Sequence, residues 1–186
     1  MGESETEPER QRRLVDMAVS MHAALRDRYS RLGLGLLLVV LGASALGLTF
    51  AFAPGDAKVT VLSVEAERST WLGWLALCTF VVTLVDLILD LRGKARERDS
   101  AVRALAALKA EYRSADLADP DDAARLAARY AAVTDAVPPI PERRFLALKA
   151  AHLRKVELSK IVSATPGIRT VRARWILWRR NASSGS

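Results

Sequence analysis

The sequence predicts an all-α membrane protein: a two-helix transmembrane hairpin with an N-terminal amphipathic helix and a C-terminal cytoplasmic helical domain. Three observations carry this. Two apolar stretches are long enough to cross a bilayer, their outer flanks are basic, and the remaining segments repeat their apolar residues every three to four positions. Apolar residues make up 51% of the chain although 26% is charged, so the two kinds of residue must be segregated along it.

Residues 1–9 form an acidic tail that composition marks as disordered. Residues 10–31 follow as an amphipathic cytoplasmic helix, with Leu14, Met17, Met21 and Leu25 on one face. His22 in this helix has no evident partner and reads as a surface or interface residue. Residues 32–53, LGLGLLLVVLGASALGLTFAFA, are 22 positions without a charge. At 1.5 Å per residue they reach about 33 Å, close to the thickness of a hydrocarbon core. A signal peptide is the competing reading, but its apolar region is shorter and begins nearer the N-terminus.

This first span is rich in small residues. Ala43 and Gly47 form a small-xxx-small pair, and Gly35 and Gly42 share a face. Such positions let helix backbones approach closely in lipid, either within the hairpin, the plainer reading, or between copies. Residues 54–69 form an extracytoplasmic connector opened by the Pro54-Gly55 turn signal; KVTVLSV within it is the one strand-like pattern in the chain.

The second span, residues 70–91, is TWLGWLALCTFVVTLVDLILDL. Arginines 26, 28 and 31 precede the first span, and Arg92, Lys94, Arg96 and Arg98 follow the second. The positive-inside rule therefore puts both termini in the cytoplasm, with Trp71 and Trp74 at the outer interface. Two carboxylates lie inside the second apolar stretch. On a continuous helix Asp86 and Asp90 are about 40° apart, and Thr79 and Thr83 share their stripe. Asp86 would lie about 7–8 Å inside the membrane boundary. A lone pair of carboxylates can lean toward the headgroups, or Asp90 can contact Lys94. Alternatively, several copies turn this edge inward, and a hydrated ring of carboxylates around Thr79, Thr83, Asp86 and Asp90 lines a cation path. A proton relay is a third role for the same residues.

Residues 92–180 predict a cytoplasmic helical bundle. Val102, Leu105, Leu108 and Tyr112 recur on one face, Asp119 and Pro120 start a new helix that runs to about Ala136, and Val137-Pro138-Pro139 stops it. A third helix starts near Glu142 and ends at Thr165-Pro166-Gly167. One stripe of it gathers Phe145, Lys149, His152, Val156, Ser159, Lys160 and Ser163. Lys149, His152, Ser159 and Lys160 suit a phosphate-rich ligand or a partner, and equally suit plain solvent. The last segment, IRTVRARWILWRR, aligns Ile168, Val171, Trp175 and Trp178 and suits either a membrane surface or packing on the bundle. Residues 181–186 read as a disordered polar tail.

Some chemistry is missing. The chain has one cysteine, Cys78, and two distant histidines, and no phosphate-binding loop or nucleophile motif, so no catalytic residue, cofactor or metal site is expected. From Arg92 onward 20 Lys and Arg stand against 10 Asp and Glu. That balance could meet nucleic acid, anionic lipid or an anionic small ligand; the Lys149–Lys160 stripe has no aromatic residue for stacking except Phe145, which disfavours nucleic acid.

The stretch VPPIPERRFLALKAAHLRKVELSKIVSATPG, residues 137–167, resembles the SLATT family, the SMODS- and SLOG-associating two-transmembrane effector domains of bacteria. The order of parts over residues 10–170 is similar as well. The resemblance implies a membrane-disrupting or pore-forming effector of an anti-phage or other conflict system, acting in the inner membrane to arrest or kill the infected cell. It also implies partners: further copies of itself, the lipid bilayer, and a nucleotide second messenger or separate sensor protein as trigger. No family residue roles are carried over. The expected function is thus a homo-oligomeric pore-forming effector, with a membrane-anchored interaction or sensor module and a small dimeric transporter as the alternatives.

Overall fold

A computed structural model describes residues 6–52, 58–61, 64–117, 119–165 and 167–183. Among them the fold is helical apart from one two-stranded ladder, and two helices are long and apolar enough to cross a membrane. The chain divides into two units. One comprises Met1–Ala24 with Ser100–Ser186, the other Leu25–Asp99.

The first helix, α1, is unbroken from Glu7 to Phe52, 46 residues or about 69 Å. It begins inside the segment expected to be disordered. The Glu9 carboxylate caps the start: the Thr6 hydroxyl and backbone N–H both donate to Glu9 Oε2, at 2.9 and 3.1 Å, which is the glutamate half of a capping box. These two bonds also hold the Glu9 carboxyl below the usual carboxylate range. Pro8 fits because the first helical turn needs no partner for its missing N–H.

In the unit Leu25–Asp99, the strand-like pattern of the connector is an antiparallel pair, β1 (Lys58–Val61) and β2 (Val64–Glu67), with Lys58 opposite Glu67 and Val61 opposite Val64. The all-α expectation is corrected to this extent: alternating β-branched residues between the two apolar helices satisfy their backbone groups in a ladder. The Pro54-Gly55 turn signal lies outside the described residues.

Helix α2 spans Arg68–Leu89 and helix α3 spans Leu91–Ser114. The sequence suggests one continuous helix here. Instead Asp90 adopts the left-handed conformation, φ 41° and ψ 54°, the only non-glycine residue with positive φ among those described. At the start of α3, Gly33 of α1 comes close enough that a β-carbon there would touch Leu91 and Arg92 at 3.7–3.8 Å. Two turns further on, Arg26 of α1 donates to Asp99 of α3 at 3.1 Å and to its own neighbour Asp27 at 2.9 Å. Those bonds, Asp27 first and Asp99 second, raise the affinity of the guanidinium for its proton.

In the other unit a true core forms. Val15 of α1 and Leu105, Leu108 and Tyr112 of α3 meet Leu126 and Val133 of α4 (Pro120–Ala136), all nearly without solvent contact. The Tyr112 hydroxyl donates to Gln11 Oε1 at 2.7 Å, and Lys109 pairs with Asp16 across the same seam. Helix α4 starts where the sequence predicts: the Asp119 side chain accepts from the Asp121 N–H at 3.1 Å and Pro120 opens the first turn. The proline-rich break leads to α5 (Glu142–Ala164), and α6 (Thr170–Ser183) packs on it through Ala173 and Leu177. Helix α6 therefore extends into the segment expected to be a disordered tail.

Candidate functional site

The membrane-length helices present their apolar residues outward. Leu34, Leu38, Leu41 and Leu48 of α1 and Phe80, Leu84, Leu87 and Ile88 of α2 are exposed. Neither apolar window has a buried residue among its most hydrophobic 18 positions. An apolar surface of that extent is not stable in water.

Each helix nevertheless has one shielded stripe. On α1 the less exposed positions recur as Gly33, Leu36, Val40, Ala43, Gly47 and Phe50, and on α2 as Trp71, Leu72, Leu75, Thr79, Val82 and Asp86. This three-to-four spacing is that of a helix-packing seam. Ala43 and Gly47 lie on it, whereas Gly35 and Gly42 are exposed. A β-carbon built on Gly35, Gly42 or Gly47 would meet nothing within 4 Å. Among the described residues the close approach on this helix is at Gly33, beside Leu91 and Arg92.

The four residues expected to line a path separate into two groups. Thr79, Thr83 and Asp86 share one side of α2 within about 60° of arc. The Thr79 hydroxyl donates to the Leu75 carbonyl at 2.8 Å and the Thr83 hydroxyl to the Thr79 carbonyl at 2.7 Å, the habit of hydroxyls in apolar helices. One oxygen of Asp86 is shielded from solvent and has no hydrogen-bond partner among the described residues.

Asp90 does not extend this stripe; the reading of Asp86 and Asp90 as neighbours on a continuous helix is corrected. Its backbone N–H closes α2 on the Asp86 carbonyl at 3.0 Å, and its carboxylate accepts from the Gly93 N–H at 3.0 Å, capping α3. Aspartate is among the few residues that tolerate the left-handed region, because its short polar side chain bonds locally. A β-carbon on Gly93 would sit 2.1 Å from Asp90 Oδ2, so the cap needs glycine at that place.

The four polar residues expected to bind on the α5 stripe do not converge on a cavity. Lys149 and Ser159 are exposed, Lys160 pairs with Glu157 at 2.8 Å, and His152 has a shielded Nδ1 without a hydrogen-bond partner. The cations that do converge lie on another side of α5. Arg154, Lys155 and Leu158 line an open groove of about 610 Å³ with Arg174, Leu177 and Trp178 of α6. Periodicity within α5 could not reveal this groove, since half of it comes from a helix that packs on α5 through Ala173 and Leu177. A smaller cavity of about 300 Å³ lies among α1, α3, α4, the proline segment and the first turn of α5, lined by Leu14, Leu105, Tyr130, Pro139 and Phe145. His22 also lines it and is only 3% exposed, so the surface reading of that histidine is corrected.

Among the described residues no three His, Cys, Asp or Glu side chains converge as metal ligands. Comparison with family models, with curated proteins and with solved structures finds no match for this chain.

Proposed function

We propose that the chain is a homo-oligomeric effector of the bacterial inner membrane, in which α1 and α2 cross the bilayer as a hairpin with both termini cytoplasmic. In one copy the shielded stripe of α2, which carries Thr79 and Asp86, faces α1, and on assembly the copies turn the polar edge of Thr79, Thr83 and Asp86 toward a shared lumen. The observation that carries this reading is Asp86, one oxygen of which is shielded from solvent and has no hydrogen-bond donor among the described residues, in a helix otherwise dressed for lipid. A carboxylate at the centre of a span costs about 2.5–3.5 kcal/mol on insertion scales and one nearer the end, like Asp86, costs less; neighbouring subunits around a watery lumen remove that cost. One hairpin is too small to enclose such a lumen.

The path conducts ions when triggered, collapses the membrane potential and stops the cell, in keeping with the SLATT resemblance of residues 137–167. The trigger is a nucleotide signal or a sensor protein acting on the helical domain, with Lys149, His152, Ser159 and Lys160 or the groove of Arg154, Lys155 and Arg174 as the receiving surface. Asp90 sits at the inner end of the edge as a cap that fixes the joint between α2 and α3.

Vesicle leak and toxicity on expression test the reading. Asp86→Ala should abolish both while the protein still inserts, and Asp90→Asn, which keeps the cap and removes the charge, should leave most of the leak intact. Full leak from a normally inserted Asp86→Ala protein removes the ion-path proposal. A second reading, a membrane-anchored interaction module without conduction, is favoured by the Thr79 and Thr83 hydroxyls bonding back to their own helix. It predicts a detergent-solubilised monomer and tight vesicles under every condition.

A further inference from the structure

Helix α6 has two apolar faces on opposite sides. Ala173 and Leu177 point into α5 and are buried. Val171, Trp175 and Trp178, at positions i, i+4 and i+7, lie about 180° away within about 60° of arc. They are 76%, 53% and 67% exposed. The sequence suits this segment to bundle packing or to a membrane surface, and in the fold the two roles fall to separate faces.

Charge identifies what covers the open face. By helical rotation, Arg172 and Arg179 border the tryptophan stripe on one side and Arg174 on the other, and α6 contains no acidic residue. The Arg179 guanidinium sits 4.8 Å from the centre of the Trp175 ring, so ring and cation form one amphipathic patch. On the Arg174 side the groove adds Arg154 and Lys155 beside Trp178. A second copy docking by the same face would set arginine against arginine. Tryptophan between arginines fits the headgroup region of an anionic bilayer, with indole rings at the acyl boundary and guanidinium groups on lipid phosphates.

We propose that α6 is an interfacial membrane helix: its Val171–Trp175–Trp178 face lies in anionic lipid headgroups, and the Arg154–Lys155–Arg174 groove holds a lipid phosphate. The proposal rests on the membrane reading above, because the spans keep α6 close to a bilayer and make a weak surface contact sufficient.

The experiment uses the full chain with Trp71→Phe and Trp74→Phe, which leaves Trp175 and Trp178 as its only tryptophans. It is reconstituted in phosphatidylcholine vesicles with or without phosphatidylglycerol, the lipids brominated at a shallow acyl position. Strong quenching of the two indoles is expected in vesicles containing phosphatidylglycerol, and it should fall with added salt. Each of Arg172→Gln, Arg174→Gln and Arg179→Gln should weaken docking about fivefold. These residues are on the exposed side, so circular dichroism should be unchanged. Unquenched tryptophans in a chain that resists carbonate extraction overturn the proposal and leave the membrane reading standing. Quenching that ignores phosphatidylglycerol and all three arginine substitutions overturns it as well, as does shielding that grows only with protein concentration, the sign of a second copy. A chain stripped off by carbonate defeats the membrane reading instead.

Discussion

Two helical paths join the polar part of this chain to its apolar part, and they are built differently. Helix α1 passes from Arg31 to Leu32 with no change of backbone. The path from α2 to α3 turns at Asp90, where a left-handed residue ends one helix and its side chain starts the next. In α1 the small residue Gly33 at the transition gives room for Leu91 and Arg92. In the other path Gly93 gives room for a carboxylate. The lesson is that a helix needs no device to leave water, whereas a joint between two helices needs both a cap and a residue that tolerates positive φ.

The comparison can be broken or sharpened by substitution. The largest effect is expected where the two paths are alike, in the parts of α1 and α3 that are shielded from water. Leu108→Ala on α3 and Met21→Ala on α1 each remove a side chain that is 1% exposed, and each should cost about 2–5 kcal/mol of thermal or denaturant stability in detergent. A small effect on one helix only would show that they do not share the load.

Next comes the joint. Asp90→Val puts a β-branched residue at positive φ and deletes the cap, for a loss of about 2 kcal/mol, while Arg31→Val at the corresponding point of α1 should stay within about 0.7 kcal/mol. Equal effects would mean that the left-handed turn is not maintained in the membrane.

Tyr112 offers a test of α3 by pH. Burial, with smaller contributions from Tyr130 and Glu7, raises its pKa above 10.0. Above pH 10 the unfolded chain therefore releases a proton that the folded chain still holds, and stability falls as pH rises through the folded value. Tyr112→Phe should lose about 1 kcal/mol at neutral pH with the Gln11 hydrogen bond, and should not show this tyrosine's share of the alkaline decline.

The smallest effect is a coupling. Gly93→Ala should be nearly neutral beside Asp90, since better helix propensity offsets a displaced cap. In an Asp90→Gly background it should stabilise by about 1 kcal/mol. Additivity of the two substitutions would show that the carboxylate does not lie over Gly93.

Much of this architecture is written in composition and local chemistry. The two apolar lengths, the Asp119-Pro120 start of α4 and the strand-like KVTV all depend on neighbours a few positions away. The Thr6-x-x-Glu9 box was equally local, but the acidic composition around it suggested disorder. The candidate sites were less legible. Thr79, Thr83 and Asp86 share a side of α2 because that needs only a regular helix, and Asp90 leaves it because regularity fails at that residue. Lys149, His152, Ser159 and Lys160 share a face without sharing a cavity; the converging cations Arg154, Lys155 and Arg174 come from two helices, and only packing brings them together.

The sequence by itself determined which segments avoid water, which are helical and where most of them begin, because hydrophobic length, capping and proline act over a few residues. Only the tertiary structure decided that α2 ends in a left-handed turn, that His22 is enclosed, and that α6 gives one face to α5 and leaves its tryptophans open. Those outcomes depend on which surfaces meet, and the free energy of a contact between distant segments is not encoded at either segment alone.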